Sequence, residues 1–269
     1  MARVPGRYFL ENLVRGRSLI YQLVRRDFEQ RYIGSIVGWL WGLIHPLTLL
    51  VVYTFVFQYA FGLKLPEGEV TDSYPLYLFA GMLPWLLFSE TIQRSASSLP
   101  EHANLIKKSV FPSEVVPLSI FLSGLASHLL ALVMLVAAAA IWADWPAATL
   151  LMLPVYMLLM GLLSLGLGWI LAGLHVYLRD TAQVLAVALT VWFWLTPIFM
   201  DEARLRAMLP GVAEWNPLTY FVRGYRLTIL GGRLPQWQDL AILVAFAGTT
   251  FVLGGLFFRR AKTGFADVL

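Results

Sequence analysis

Residues 25–46 read RRDFEQRYIGSIVGWLWGLIHP. Five charged side chains give way, within about two helical turns, to an apolar tract holding two tryptophans. Upstream, Leu13, Ile20, Val24 and Phe28 share one helical face, with Arg15, Arg26 and Glu29 on the other, so residues 8–33 read as an amphipathic helix. Such a helix lies in the headgroup layer, where arginines meet lipid phosphates. Arg15, Arg25, Arg26 and Arg31 are the candidates for that contact. Gly34, Ser35 and Gly38 supply the freedom needed to turn a surface helix into a crossing one. Pro46 removes one backbone hydrogen bond and is expected to kink the first crossing helix. His45 then either bonds a freed carbonyl or couples to protons, as intramembrane ionisable groups often do.

The bulk numbers agree with a membrane. The chain has 269 residues, is 59% hydrophobic and 13% charged, and has a mean hydropathy of +0.70. Soluble domains carry about 25% charged residues. Six spans can be drawn, at about 37–61, 74–93, 115–142, 150–178, 182–200 and 240–258; a crossing helix needs ~20 residues, which the third and fourth exceed, so these are expected to tilt or project into water. The expected fold is an all-α integral membrane protein. Residues 1–36 form a cytoplasmic interface segment and residues 37–269 a single transmembrane domain. Fourteen lysines and arginines fall on the side of both termini and six on the other, which puts both termini in the cytoplasm. The net charge of +4 and pI near 9.4 express that bias rather than nucleic-acid binding. There is no cysteine, hence no disulfide, thiolate metal site or cysteine nucleophile. The first 36 residues hold seven arginines and no apolar h-region, so no cleavable signal peptide is expected. Four scattered histidines, His128 and His175 among them, have no ligand spacing, and no metal site is expected.

The order of motifs is more specific. RYIGSIVGWLWGLIHPL and VYTFVF are followed by GMLPWLLFSETI, LIKKSVFPSEVVPL, YLRD, LTPIFM and NPLTYFVRGYR. This succession, over nearly the whole chain, resembles the permease subunit of ABC-2 type exporters. The nearest branch in pattern exports lipid-linked O-antigen, capsule or teichoic acid polysaccharide. His45 departs from the pattern, since relatives commonly place Asn before that proline. The resemblance implies a homodimer with two separate P-loop ATPase subunits in a bacterial inner membrane. ATP and magnesium would be bound by those partners, because no G-x-x-x-x-G-K-[ST] occurs in this chain. A different cargo on the same fold (teichoic acid, capsule, a lipid or a drug) stays open. A membrane glycan-processing enzyme is the remote alternative, lacking a convergent acid, base or metal cluster.

Three regions then acquire candidate roles. The 93–114 loop is broken by Pro100 and Pro112, and its middle, 101–110, can form a short helix. By itself it is a solvated connection. By resemblance it is the coupling helix that docks on the ATPase, with Glu101, Leu105, Ile106, Lys107, Lys108, Val110 and Phe111 as the contact. In residues 201–239, Asn216 is placed as an N-cap and Pro217 at the first helical position. The resemblance implies a re-entrant hairpin between spans five and six, with Tyr220, Arg223, Tyr225 and Arg226 at the exit; an interfacial helix covering the bundle is the other reading. Aromatics are over-supplied: Trp39, Trp41, Tyr53, Phe57 and Tyr59 in span one, Trp85 and Phe88 in span two, Trp192, Phe193 and Trp194 in span five. Some belong to interface belts. A subset, chiefly from spans one and five, is expected to line the path, where rings stack on sugar C–H faces without gripping one sugar. Arg179 and Asp180 of YLRD either mark an entrance for a lipid pyrophosphate or anchor the interface. In span four, Gly161, Ser164, Gly168 and Ala172 form a small-residue packing face.

Overall fold

The computed structural model describes residues 17–32, 34–35, 37–66, 68–108, 111–142 and 148–268; the elements they form are all helical, with no strand among them. Helix α1 (Arg17–Tyr32) is amphipathic, with Leu23 buried and Arg17, Arg25 and Arg26 exposed. The chain turns through Gly34 (φ 77°) and Gly38 (φ 58°), a backbone region costly for other residues. The Ser35 hydroxyl accepts from the Gly38 amide at 3.2 Å and from the Trp41 indole at 3.1 Å, which fixes where the first span begins.

That span is a 3-10 turn (Gly38–Leu40), helix α2 (Trp41–Thr54) with Pro46 inside it, and a π-helical stretch (Phe55–Ala60). Helix α3 (Tyr74–Glu101) follows, then the six-residue α4 (Ala103–Lys108) and α5 (Val115–Trp142). A 3-10 turn (Thr149–Met152) opens into α6 (Leu153–Tyr177), followed by α7 (Thr181–Trp194). Short helices α8 (Glu202–Met208) and α9 (Val212–Trp215) precede α10 (Pro217–Ile229). The chain closes with α11 (Trp237–Ala261), a 3-10 turn (Lys262–Gly264) and α12 (Phe265–Val268).

Among the described residues, five helical segments are long and apolar enough to cross a membrane: Gly38–Ala60, Tyr74–Glu101, Val115–Ile141, Thr149–Tyr177 and Trp237–Gly264. The drawn span 182–200 differs. Its helix, Thr181–Trp194, has 14 residues and is about 21 Å long, against a hydrocarbon core of ~30 Å. The chain then breaks at Pro197 and continues irregularly to Asp201. The second span is longer than drawn, running past residue 93 to Glu101. Polar residues ended the apolar run in the sequence, but Ser95 and Ser98 are buried and Arg94 is paired with Asp27, so the helix continues.

Helix α3 is the centre of the bundle, packed on α5, α6, α7 and α10, while α6 also runs along α11. Small residues set those approaches. Gly161 faces Phe121 of α5 and Gly168 faces Ser95 of α3, whereas Gly166 and Gly254 meet backbone to backbone where α6 crosses α11. The bundle has two distinct ends. Helices α1, α4 and α12 share one; α8, α9 and α10 share the other with the start of α3, where Tyr74 and Tyr77 donate to the carbonyls of Phe199 and Met200.

Candidate functional site: an aromatic file between two charged ends

Aromatic side chains from three segments form one continuous file. Phe57 of the π-helical stretch lies 4.4 Å, ring centre to ring centre, from Phe199, and Tyr53 lies 5.0 Å from the same ring. Phe199 also meets Phe193 at 5.1 Å and Trp194 at 5.2 Å. Phe193 continues to Trp85 at 5.4 Å, Trp85 to Phe88 at 6.1 Å, and Phe88 to Trp192 at 5.1 Å. Most pairs are tilted or edge-to-face, the arrangement ring quadrupoles prefer. The file grades from enclosed to open: Phe88 and Trp85 are buried, Tyr53, Phe57 and Phe193 half-buried, and Trp194 exposed. Tyr59 is exposed outside the file, and Trp39 and Trp41 lie exposed at the far end of the first span. Phe199, which touches four members, was missed in the sequence because it falls in the irregular break after α7, outside helical spacing. LTPIFM was the signal that could have found it.

At the α1 end, four charges interlock. Arg94 donates to both oxygens of Asp27, one at 3.1 Å. Arg31 pairs with Asp27 at 3.2 Å and with Glu90 at 2.6 Å. Burial disfavours the Asp27 carboxylate, but hydrogen bonding and charge from Arg94, with charge from Arg31, outweigh that and hold its pKa below the ordinary value of 3.8. So Arg31 turns inward, while Arg25, Arg26 and Arg179 are exposed. Arg15 lies outside the described residues. Asp27 and Arg94 were not singled out from the sequence; a carboxylate on the apolar side of an amphipathic helix was the available sign.

Helix α4 spans less than the 101–110 read from the sequence; Glu101 closes α3, and His102 Nδ1 lies 2.8 Å from the Ser98 carbonyl at the joint. Leu105 and Lys107 are exposed, Ile106 packs inward and Phe111 is half-buried. Val110 and the Lys108 side chain lie outside the described residues. The following segment is clamped from the chain's end: Lys262 pairs with buried Glu114 at 2.6 Å, and Trp169 donates to the Glu114 carbonyl at 3.1 Å.

The hairpin end is also pinned. The Asn216 side chain caps α10, accepting from the Leu218 amide at 3.0 Å, and its Oδ1 also accepts from the Trp192 indole N–H at 2.9 Å, tying α10 to the aromatic file. Arg223 bridges Glu202 of α8, at 2.8 Å, and Asp239 of α11, at 2.7 Å. Tyr220 donates to the Glu214 carbonyl, and buried Tyr225 is hydrogen-bonded to His128 at 3.0 Å. Arg226 is 6% exposed. It stacks 3.4 Å over the Tyr77 ring and donates to the carbonyls of Tyr77, Pro197 and Ile198. These contacts make it a pin between α3, α10 and the break after α7.

Buried α10, the aromatic file and all but the first residue of the amphipathic end helix α1 fall within one family match. The family described as ABC-2 type transporter matches residues 18–230. This chain belongs to the ABC-2 type transporter family. It is 28% identical over 264 residues to the O-antigen export system permease protein RfbA of Myxococcus xanthus, covering 96% of this chain and 98% of that one. To the protein of the same name from Klebsiella pneumoniae it is 26% identical over 255 residues, covering 94% and 95%. It is 21% identical over 241 residues to the polysialic acid transport protein KpsM of Escherichia coli, covering 89% and 92%. The match to the ABC-2 type transporter family ends at Leu230, so it takes in the aromatic file and α10 but not α11.

Proposed function

We propose that this ABC-2 type transporter is the permease subunit of an ATP-driven exporter that moves a lipid-linked, O-antigen-like polysaccharide outward across a bacterial inner membrane. It acts as a homodimer with two separate P-loop ATPase subunits that bind ATP and magnesium. The observation that carries this reading is the aromatic file. At its open side, half-buried Tyr53, Phe57 and Phe193 and exposed Trp194 offer ring faces for sugar C–H surfaces, backed by the buried rings of Phe199, Trp85 and Phe88. The relatives' names, O-antigen export and polysialic acid transport, favour a glycan over a drug or free lipid.

Both termini are cytoplasmic in this reading. The lysine and arginine bias supports that, and so does the shared end occupied by α1 and α12. Termini at one end require an even number of passages, so α7 with residues 195–200 serves as the sixth. Helices α8–α10 are then a re-entrant hairpin on the outer side, and exposed Arg25, Arg26 and Arg179 meet inner-leaflet headgroups. Helix α4 presents Leu105 and Lys107 to the ATPase. The second copy follows from apolar surface: of the most apolar stretches of the first and last long helices, 6% and 17% are buried within one chain, and two-fold assembly is the commonest closed form.

The test is purification of the tagged chain from its native membrane in mild detergent, with stoichiometry. An equimolar P-loop ATPase in a two-plus-two complex is expected. A stable chain with no ATPase overturns the transporter assembly. Joint alanine substitution of Tyr53, Phe57 and Phe193 is expected to lower glycan export while leaving that complex intact. Equal loss of export and assembly would make the rings packing residues.

A further inference from the structure

A cavity of about 430 Å³ lies between the end of α1 and helices α2, α3 and α5, on the side of the bundle where α1 packs. That volume is within the ~300–1,000 Å³ of small-molecule sites, enough for a lipid headgroup and the start of its chains. Its character changes along its length. Arg31, Glu90 and Gln93 line the end beside α1, with His45 and Trp41 at the rim; Leu83, Pro46 and Ala131 line the deep end. A polar end beside α1 joined to an apolar deep end, between helices that cross a membrane, matches the polarity of a lipid with its headgroup at α1 and its chains inward.

Two unused valences decide which headgroup. Glu90 receives Arg31 at 2.6 Å and Arg94 at 3.6 Å, and both use Oε1. Among the described residues nothing donates to Glu90 Oε2, and the side chain is 40% exposed. On the other sign, Arg31 Nε and Nη1 are paired with Asp27 and Glu90, whereas Nη2 is buried with no hydrogen-bond partner. That atom lies 3.9 Å from where a Cβ on Gly124 would stand, and both residues line the cavity. A buried guanidinium N–H without an acceptor has lost its water and gained nothing in return, so an acceptor is wanted there. The cavity therefore offers one spare cationic donor and one spare anionic acceptor. The charged set around it, Asp27, Arg31, Glu90 and Arg94, is formally neutral. A purely anionic ligand would have to compete with Asp27 and Glu90 for the arginines. A headgroup carrying one phosphate and one primary ammonium adds no net charge and fills both valences.

We infer that this cavity is a binding site for a phospholipid with a zwitterionic ethanolamine headgroup, its phosphate on Arg31 Nη2 and its ammonium on Glu90 Oε2. The chains leave past Pro46 and Leu83 into the hydrocarbon. The exposed imidazole of His45 stands at the rim as a second donor for the phosphate, which gives that position a role independent of the proline kink. Nothing in this assignment requires the glycan cargo proposed above, and its test has no export step.

The full-length protein in mild detergent is mixed with equal amounts of phosphatidylethanolamine, phosphatidylcholine and phosphatidylglycerol of matched chains, and retained lipid is counted by native mass spectrometry. One phosphatidylethanolamine per chain is expected, retained about tenfold or more over the other two, the size of one charge-assisted hydrogen bond. Phosphatidylcholine is the decisive control, because its quaternary ammonium has no N–H to give Glu90. Glu90→Gln is expected to bring phosphatidylethanolamine down to the phosphatidylcholine level. Ala131→Leu, which fills the deep end without touching a charge, is expected to abolish retention of all three. Equal retention of the three lipids by the unaltered protein overturns the inference whether or not either variant folds. So does stronger retention of an added polyprenyl pyrophosphate, which would give the site to a carrier lipid.

Discussion

The first and second hydrophobic segments invert what hydropathy alone suggests. Gly38–Ala60 is the more apolar of the two, yet 6% of its most apolar stretch is buried against the rest of the chain; for Tyr74–Glu101 the share is 78%. The second helix sits at the centre because of residues that lower its hydropathy. Gly81 admits the Arg226 guanidinium, Ser95 receives Gly168, and Thr91 and Ser98 are buried with their hydroxyls bonded within the helix. The first helix keeps Val51, Val52, Phe55 and Tyr59 exposed and touches the bundle through a narrower side that includes Tyr53 and Phe57. In lipid there is no hydrophobic drive to bring apolar helices together, so small and polar residues choose the neighbours. Hydropathy selects the segments that cross; polarity and size select the one in the middle.

That contrast breaks first at Arg226. Removing its side chain strands the carbonyls of Pro197 and Ile198 and empties the space over Tyr77, and Arg226→Ala is expected to cost about 3–5 kcal/mol of stability. Thermal unfolding in detergent measures it, and an unchanged midpoint would mean that α3 is central for some other reason. Gly254→Val comes next. Its side chain would overlap the Gly166 carbonyl, so α6 and α11 must separate, at about 2–3 kcal/mol. The same substitution at Gly248, where nothing lies within 4 Å, should be close to neutral.

Third is the hold on α1. Asp27→Asn removes the charge that Arg94 and Arg31 share and is expected to loosen α1 by about 1.5–3 kcal/mol, seen as faster amide exchange over residues 17–32. The same contact gives a pH signature. The folded-state pKa of Asp27 lies below its ordinary 3.8, so the stabilisation is complete above that value and disappears as pH falls through the depressed one. The protection factors of α1, exchange rates corrected for the intrinsic pH dependence of amide exchange, should be flat from neutral pH down to the usual carboxylate range and fall only below it. A loss of protection already near pH 6 would point to a histidine instead.

Legibility from sequence followed the same division. The drawn span 115–142 coincides with helix Val115–Trp142, and the Asn216-Pro217 start of α10 was readable from cap chemistry alone. Both signals are local. What could not be read were partnerships between distant positions. Arg226 resembled its neighbour Arg223 on paper, yet one is an enclosed pin on α3 and the other a half-buried bridge from α8 to α11. Asp27 gave no hint of Arg94, 67 positions away. The early end of the helix in the fifth span was hidden for a related reason: residues 182–200 carry no charge, and the irregular stretch after Trp194 is where Arg226 captures the carbonyls of Pro197 and Ile198. The aromatic file mixed both kinds of information, with its helical members recoverable from composition and Phe199 found only through contact.

The smallest expected effect sharpens the comparison most. Val51, 67% exposed on the first span, faces either lipid or a second copy. For the isolated chain, Val51→Ala is expected to change stability by less than about 0.5 kcal/mol, as at any site without a buried partner. Val51→Trp separates the two neighbours. Lipid tails rearrange around an indole, so a lipid-facing position tolerates it with the oligomer unchanged. A packed protein surface does not, since inserting volume into a close-packed contact costs about 1–3 kcal/mol, and the dimer fraction in detergent should fall. If Val51→Trp leaves the dimer intact while Val133→Trp, at a 68% exposed position of α5, dissolves it, the first span is a lipid-facing helix and the two copies meet elsewhere. Loss of the dimer from Val51→Trp alone would instead make the poor burial of the first span a property of the single chain, completed by the second copy.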